Sequence, residues 1–271
     1  MLITRFFSAI IAAPTVLFLI YSGGLYFKGL MVLISFLFSL ECFRLFTQRD
    51  NKFEQIAFST LLTLVLCSYY FGFIKEGESR SLIDFFHILP LMALSGLFYI
   101  WRKDCTITER HNAITGSWLT LFIVPFFMGC IFLTGESENG FWWLFLAMLL
   151  SFCNDIAAYF AGRLLGKRKW NSEISPKKTW EGYFGGVIAS ICISCLFGHY
   201  ATDLIVRPFY HWLLLGLVSG FLLPNGDLME SVFKRQNELK DSGFFLPGHG
   251  GFYDRVDAFI WAVPLVYFFK A

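Results

Sequence analysis

Charge is the scarcest commodity in this chain. Asp, Glu, Lys and Arg make up only 15% of its residues, against about a quarter in a soluble globular domain, which excludes an ordinary water-soluble fold. Proline is sparse too, at eight residues, and no repeat, low-complexity tract or flexible linker interrupts the chain. The longest stretch outside the apolar blocks is about 30 residues, so no soluble domain of any size can be present. His87, His111, His199, His211 and His249 are isolated from one another and no H-E-x-x-H occurs, which argues against zinc. A G-x-x-x-x-G-K-[ST] loop and a dinucleotide-binding glycine pattern are absent, removing the two commonest nucleotide cradles. With no G-x-S-x-G elbow, a hydrolase-type serine nucleophile has no support either. Seven cysteines are scattered mostly through apolar blocks. Cys192 and Cys195 form a C-x-x-C without a second pair, and read as small apolar residues within a helix.

What the chain has instead is apolar bulk: 56% hydrophobic and 20% aromatic residues, gathered in long blocks rather than amphipathic stripes. This is the signature of an all-α, polytopic integral membrane helical bundle. About nine transmembrane helices are expected, at roughly 6–21, 25–46, 53–74, 84–101, 117–134, 141–162, 183–200, 204–224 and 256–270. The eighth carries Arg207 and Pro208, and the ninth has an uninterrupted apolar run of only 12 residues, short of the ~20 that a full span prefers. Arg5 and the apolar run after it resemble the start of a signal peptide. No clear A-x-A-like site follows, so a retained first helix is expected.

The cations test this layout. If the N-terminus and the loops after spans two, four, six and eight share one side, that side holds 17 of the 22 Lys and Arg residues. The positive-inside rule then puts the N-terminus and two charged loops, 163–182 and 225–257, in the cytoplasm, at a bacterial-type inner or plasma membrane. Residues 1–140 form an N-terminal transmembrane part of about five helices. Residues 141–271 form the C-terminal part that carries the chemistry.

Three constellations there could act. Asp155 falls inside an apolar segment, where a lone carboxylate costs about 2.5–3.5 kcal/mol, so it should be paired, bound to a cation or facing a wet cavity. Gly162 and Gly166 are four apart and could let another helix approach closely. Ser175-Pro176-Lys177-Lys178-Thr179 puts two lysines and flanking hydroxyls just before a helix. They suit phosphate oxygens, and equally a basic loop gripping anionic lipid.

The third constellation is the densest. From Asn225 to Asp257 there are six carboxylates (Asp227, Glu230, Glu238, Asp241, Asp254, Asp257) and four cations (Lys234, Arg235, Lys240, Arg255). If 225–235 is helical, Asp227, Glu230 and Ser231 share one face, which Lys234 continues. Gly248, Gly250 and Gly251 bracket His249, so the backbone there can come close to a ligand. Carboxylate pairs beside cations can hold a hard metal and a phosphate chain together. A solvated, salt-bridged loop is the alternative.

The residues that follow carry a resemblance. Ser231-x-Phe233-Lys234-Arg235, then Lys240-Asp241, then Leu246-Pro247-Gly248-His249-Gly250-Gly251-x-x-Asp254-Arg255-x-Asp257 is similar to the signature of the CDP-diacylglycerol synthase (phosphatidate cytidylyltransferase) family, with every position filled. The S-P-K-K-T-W-E-G loop and the D-x-A-A-Y-F-x-G-R-x-x-G helix resemble that family in the same order. Ile156 departs from it, standing where a small or hydroxyl residue is expected and putting one minor polar contact in doubt.

The resemblance implies a polytopic enzyme, usually homodimeric, that joins phosphatidate and CTP into CDP-diacylglycerol and pyrophosphate. It further implies paired divalent metals, Mg²⁺ above all, on acids corresponding to Asp227 and Asp254. Asp155, Glu230 and Asp257 are further metal candidates. Lys234 and Lys240 join Asp227 and Asp254 as catalytic candidates. Ser175, Lys177, Lys178, Ser231, Arg235, His249, Gly250 and Arg255 are candidate substrate contacts. The partners expected are these two substrates and the bilayer, with no nucleic acid.

Two rival functions use the same residues differently. A kinase or phosphotransferase acting on a lipid alcohol would need a base, for which Asp155 or His249 could serve. The D-G-x-x-A-R pattern of CDP-alcohol phosphotransferases is missing. An ion-coupled transporter would place charges near the midplane, whereas here nearly all charge lies in the loops.

Overall fold

A computed structural model describes residues 14–48, 51–71, 89–102, 106–171, 174–201, 204–236 and 251–270. The chain divides into two units, one of residues 1–133 with 237–254 and the other of residues 134–236 with 255–271.

In the first unit, helical residues 14–22 stop at Gly23 and Gly24, both with left-handed backbone (φ 61° and 50°) that costs glycine no Cβ clash. Helix α1 (Gly24–Thr47) then packs on α2 (Lys52–Tyr70). Asn51 starts α2 as a reciprocal cap. Its side-chain oxygen accepts the amides of Phe53 and Glu54, while its amide donates to Glu54 Oε1 at 2.8 Å. That arrangement satisfies donors the first helical turn would otherwise leave open. Helices α3 (Leu89–Trp101) and α4 (Ile107–Gly135) follow. Phe27, Phe38, Phe43, Tyr70 and Phe132 are fully or almost fully buried, and the Tyr70 hydroxyl shares a 2.7 Å hydrogen bond with Ser35.

The second unit contains α5 (Gly140–Leu165), a hairpin of β1 (Lys169–Asn171) and β2 (Ser175–Thr179), α6 (Trp180–Tyr200), α7 (Phe209–Gln236) and most of α8 (Tyr253–Lys270). Helix α6 packs on both α5 and α7, and small residues make this possible. A Cβ on Gly182 would lie 2.7 Å from the Ala158 carbonyl, and one on Gly220 would lie 2.7 Å from Val187 Cα. Backbones that close gain dispersion contacts, the main attraction left between helices in lipid. The expectation for Gly162 holds in this form: it faces Thr179 and Gly182 at the start of α6.

The hairpin is antiparallel, pairing Lys169 with Thr179 and Asn171 with Ser175 across an irregular register. Thr179 ends it and caps α6, its Oγ1 accepting the Gly182 amide at 3.2 Å. Thr179→Ala should therefore destabilise the protein by about 1 kcal/mol, whereas Thr179→Ser should not. The apparent unfolding temperature in detergent separates the two.

The protein is an all-α integral membrane protein, and this small hairpin is the one sheet among the described residues. Helices α1, α4, α5, α6 and α7 are long and apolar enough to cross a membrane. The described residues thus give five such helices where nine spans are expected. Helices α2, α3 and α8 fall short in length or hydropathy, and residues 6–13 lie outside the described set.

Two loop expectations are corrected. Residues 225–236 are not loop but the continuation of α7, and 163–182 holds the last turn of α5, the hairpin and the start of α6. The cause is general: apolar residues mark where a helix meets hydrocarbon, not where its hydrogen bonds end. At 28 residues α7 is about 42 Å long, so a hydrocarbon core of about 30 Å leaves its charged last turns outside.

Candidate active site

Helix α7 sets the site's frame. Pro224 lies inside it and cannot donate to the carbonyl four residues back. Beside it the Phe221 carbonyl accepts the Tyr183 hydroxyl at 3.0 Å and the Asn225 side-chain amide at 2.6 Å. The helix runs on without interruption, and Asp227, Glu230, Ser231 and Lys234 follow at one-turn spacing on a common face. Ser231 Oγ lies 3.5 Å from Asp227 Oδ1, and Lys234 Nζ lies 3.2 Å from Glu230 Oε1.

Asp257, in the second turn of α8, meets that face. One oxygen each from Asp227, Glu230 and Asp257 lies within 4.8 Å of the others. Asp257 Oδ1 also accepts the Ala258 amide at 2.7 Å. The approach of the helices is tight: a Cβ built on Gly226 would run into the indole of Trp261, one turn beyond Asp257.

The hairpin adds the opposing charge. Lys178 Nζ sits 2.7 Å from Asp227 Oδ2, donates to the Pro224 carbonyl at 3.2 Å and stands 5.5 Å from the centre of the Trp170 ring. Trp170 in turn packs against Tyr183 at 4.6 Å between ring centres. Asp155, on α5, is within electrostatic reach of both Asp227 and Lys178. Its neighbour Asn154, fully buried, donates to Ser190 Oγ at 3.0 Å and fills the space above Gly186. That contact fixes α5 against α6 right beside Asp155.

Glu230 has no solvent exposure, and a buried carboxylate is costly without a compensating positive charge. Among the described residues, Lys234 and Lys178 bring positive charge to Asp227, Glu230, Asp257 and Asp155. An all-oxygen, all-carboxylate donor set suits a small hard cation such as Mg²⁺, and the Asp227, Glu230 and Asp257 oxygens fit one.

The other candidates fall as follows. Lys177 and Arg235 are exposed, and Ser175 is half-buried on β2. Asp254 belongs to the first unit, where its Oδ2 accepts the Gly251 amide at 2.8 Å. Lys240, His249 and Gly250, with the Arg255 side chain, lie outside the described residues.

Some contributors escaped the sequence reading. Glu41, nearly buried on α1, accepts the amides of Phe252 and Tyr253 at 2.7 and 2.8 Å and so holds the start of α8. Its signal was available, since Glu41 is a carboxylate inside an apolar run, as Asp155 is. Trp170, Trp261 and Asn154 carried no such signal, because they act only through what folding sets beside them.

Comparison with known proteins bears on the family. The model of the "Cytidylyltransferase family" matches residues 3–271. A phosphatidate cytidylyltransferase of Bacillus subtilis is 33% identical over 98% of this chain and 97% of its own length. One from Synechocystis is 30% identical over 98% of this chain and 95% of its own. One from Haemophilus influenzae is 36% identical over 54% of each. A match running nearly end to end takes in the hairpin, α7 and α8 together, and on it the chain belongs to the cytidylyltransferase family.

Proposed function

We propose that this protein is a phosphatidate cytidylyltransferase, a CDP-diacylglycerol synthase of phospholipid biosynthesis that transfers CMP from CTP to phosphatidate and releases pyrophosphate. The observation that carries the reading is the meeting of Asp227, Glu230 and Asp257 with Lys178 and Lys234 where the polar end of α7 leaves its apolar stretch.

The chemistry asks for little else. A phosphatidate oxygen attacks the α-phosphorus of CTP and the bond to the β-phosphate oxygen breaks. The nucleophile is a phosphate largely ionised near pH 7, so no protein nucleophile or general base is needed. What the protein must do is bring two anions together in line and offset the charge on the α-phosphate and leaving pyrophosphate.

Asp227, Glu230 and Asp257 would hold the divalent cation, with Asp155 nearby and Asp254 a further candidate through the family signature. The cation held there, Mg²⁺ in this reading, would supply charge stabilisation to the phosphates; two ions per site are proposed. Lys178 and Lys234 neutralise the reacting phosphates from the hairpin and from α7. Ser175, Lys177, Ser231, Arg235, Lys240, His249, Gly250 and Arg255 complete the proposed contacts to the triphosphate and lipid head. Placing α7's charged end in the cytoplasm, as the cation distribution favours, gives the site access to CTP. A homodimer is proposed on the family resemblance.

The test is pyrophosphate release by the purified protein in detergent. Strict dependence on phosphatidate, CTP and Mg²⁺ together is expected. Silence with CTP but turnover of ATP with a lipid alcohol would overturn the reading in favour of a kinase. Silence with every nucleotide would favour transport.

A further inference from the structure

Among the described residues Lys178 is held in three ways, and one of those holders carries charge, with Asp155 in electrostatic reach beyond them. The Pro224 carbonyl and the Trp170 ring are neutral. The third holder, Asp227 Oδ2 at 2.7 Å, belongs to the carboxylate group that fits a cation. The ammonium on that oxygen takes up lone-pair capacity that a small divalent ion, whose oxygens sit at about 2.0–2.1 Å, would otherwise draw on. Two cations on one carboxylate also repel strongly at such separations. Lysine suits an exchange of this kind, because its ammonium is a compact charge on a flexible stem rather than a rigid two-pronged fork.

We propose that Lys178 is the resident counter-ion of the carboxylate group, bound to Asp227 until a divalent cation displaces it and then turning to a phosphate oxygen. The carbonyl and the indole keep the freed ammonium close, so the cation that assembles the site also releases a positive charge for the triphosphate. By linkage, a nucleotide that draws Lys178 away strengthens cation binding by the same factor. The proposal rests on reading Asp227, Glu230 and Asp257 as a cation site.

The test is Mn²⁺ binding by the full chain in detergent without nucleotide, followed by electron paramagnetic resonance. Lys178→Gln should bind Mn²⁺ about fivefold more tightly than wild type, the upper end of what one competing, partly exposed ion pair is worth. Lys177→Gln removes the same charge from the adjacent, exposed position and should shift binding less than about twofold, since solvent screens it. Equal tightening in both variants would overturn the proposal, as would weaker binding by Lys178→Gln. If the wild type and both variants bind no Mn²⁺ at all, the cation-site reading itself fails.

A second measurement needs no variant. Acetylation of Lys178 by an amine-reactive reagent, read by mass spectrometry, should rise in Mg²⁺ relative to chelator while Lys177 stays unchanged. No rise at Lys178 would overturn the exchange.

Discussion

Asp227→Asn should lower pyrophosphate release by roughly 10²–10³-fold, the scale of losing one electrostatic contact to a reacting group, while the protein still elutes as a folded species. Asp227 is singled out because it joins two parts of the site. It shares the carboxylate group with Glu230 and Asp257, and it also holds Lys178 from the hairpin. Asparagine keeps the shape but loses the charge that attracts either cation. Raising Mg²⁺ a hundredfold should restore part of the rate if the defect is mainly one of cation affinity. A variant retaining more than about a tenth of wild-type activity would show that the charge on Asp227 is dispensable.

The second large effect is expected at a residue with no chemistry. Gly226→Ala puts a methyl group into the Trp261 indole, where α7 and α8 approach closely. Overpacking of this kind costs about 1–3 kcal/mol. The greater consequence is geometric: Gly226 precedes Asp227, and Trp261 lies one turn after Asp257, so parting the helices there separates the carboxylates. A misplacement of about 1 Å can cost on the order of a hundredfold in rate. Gly226→Ala should therefore fall to a few per cent of wild-type activity, with a lower apparent unfolding temperature. Trp261→Leu should make room for the methyl group, so the double variant should recover activity relative to Gly226→Ala alone. Strict additivity of the two defects would place the damage elsewhere.

The membrane class, the family signature and most of the candidate site were legible in the sequence, for reasons that differ. Apolar blocks identify membrane helices because the bilayer demands them whatever the tertiary packing. Asp227, Glu230, Ser231 and Lys234 could be read as one face because helical spacing is local. Asp155 stood out because a carboxylate in an apolar run needs an explanation wherever it occurs. The extent of α7 was not legible, because hydropathy falls at residue 225 while the backbone hydrogen bonds run on to Gln236.

What the chain determined by itself, then, was what its local chemistry dictates: apolar spans, charged segments, a helical face of acids and a family signature. Only the tertiary structure decided which charges meet. Asp257 joins Asp227 and Glu230 because glycine at 226 lets Trp261 come close. Lys178, rather than the adjacent and exposed Lys177, reaches Asp227 because alternate residues of a strand face opposite sides and Trp170 lies on the side that Lys178 faces. Partner choice between groups distant along the chain depends on backbone approach, and that is set by packing between helices rather than by any residue's neighbours in sequence.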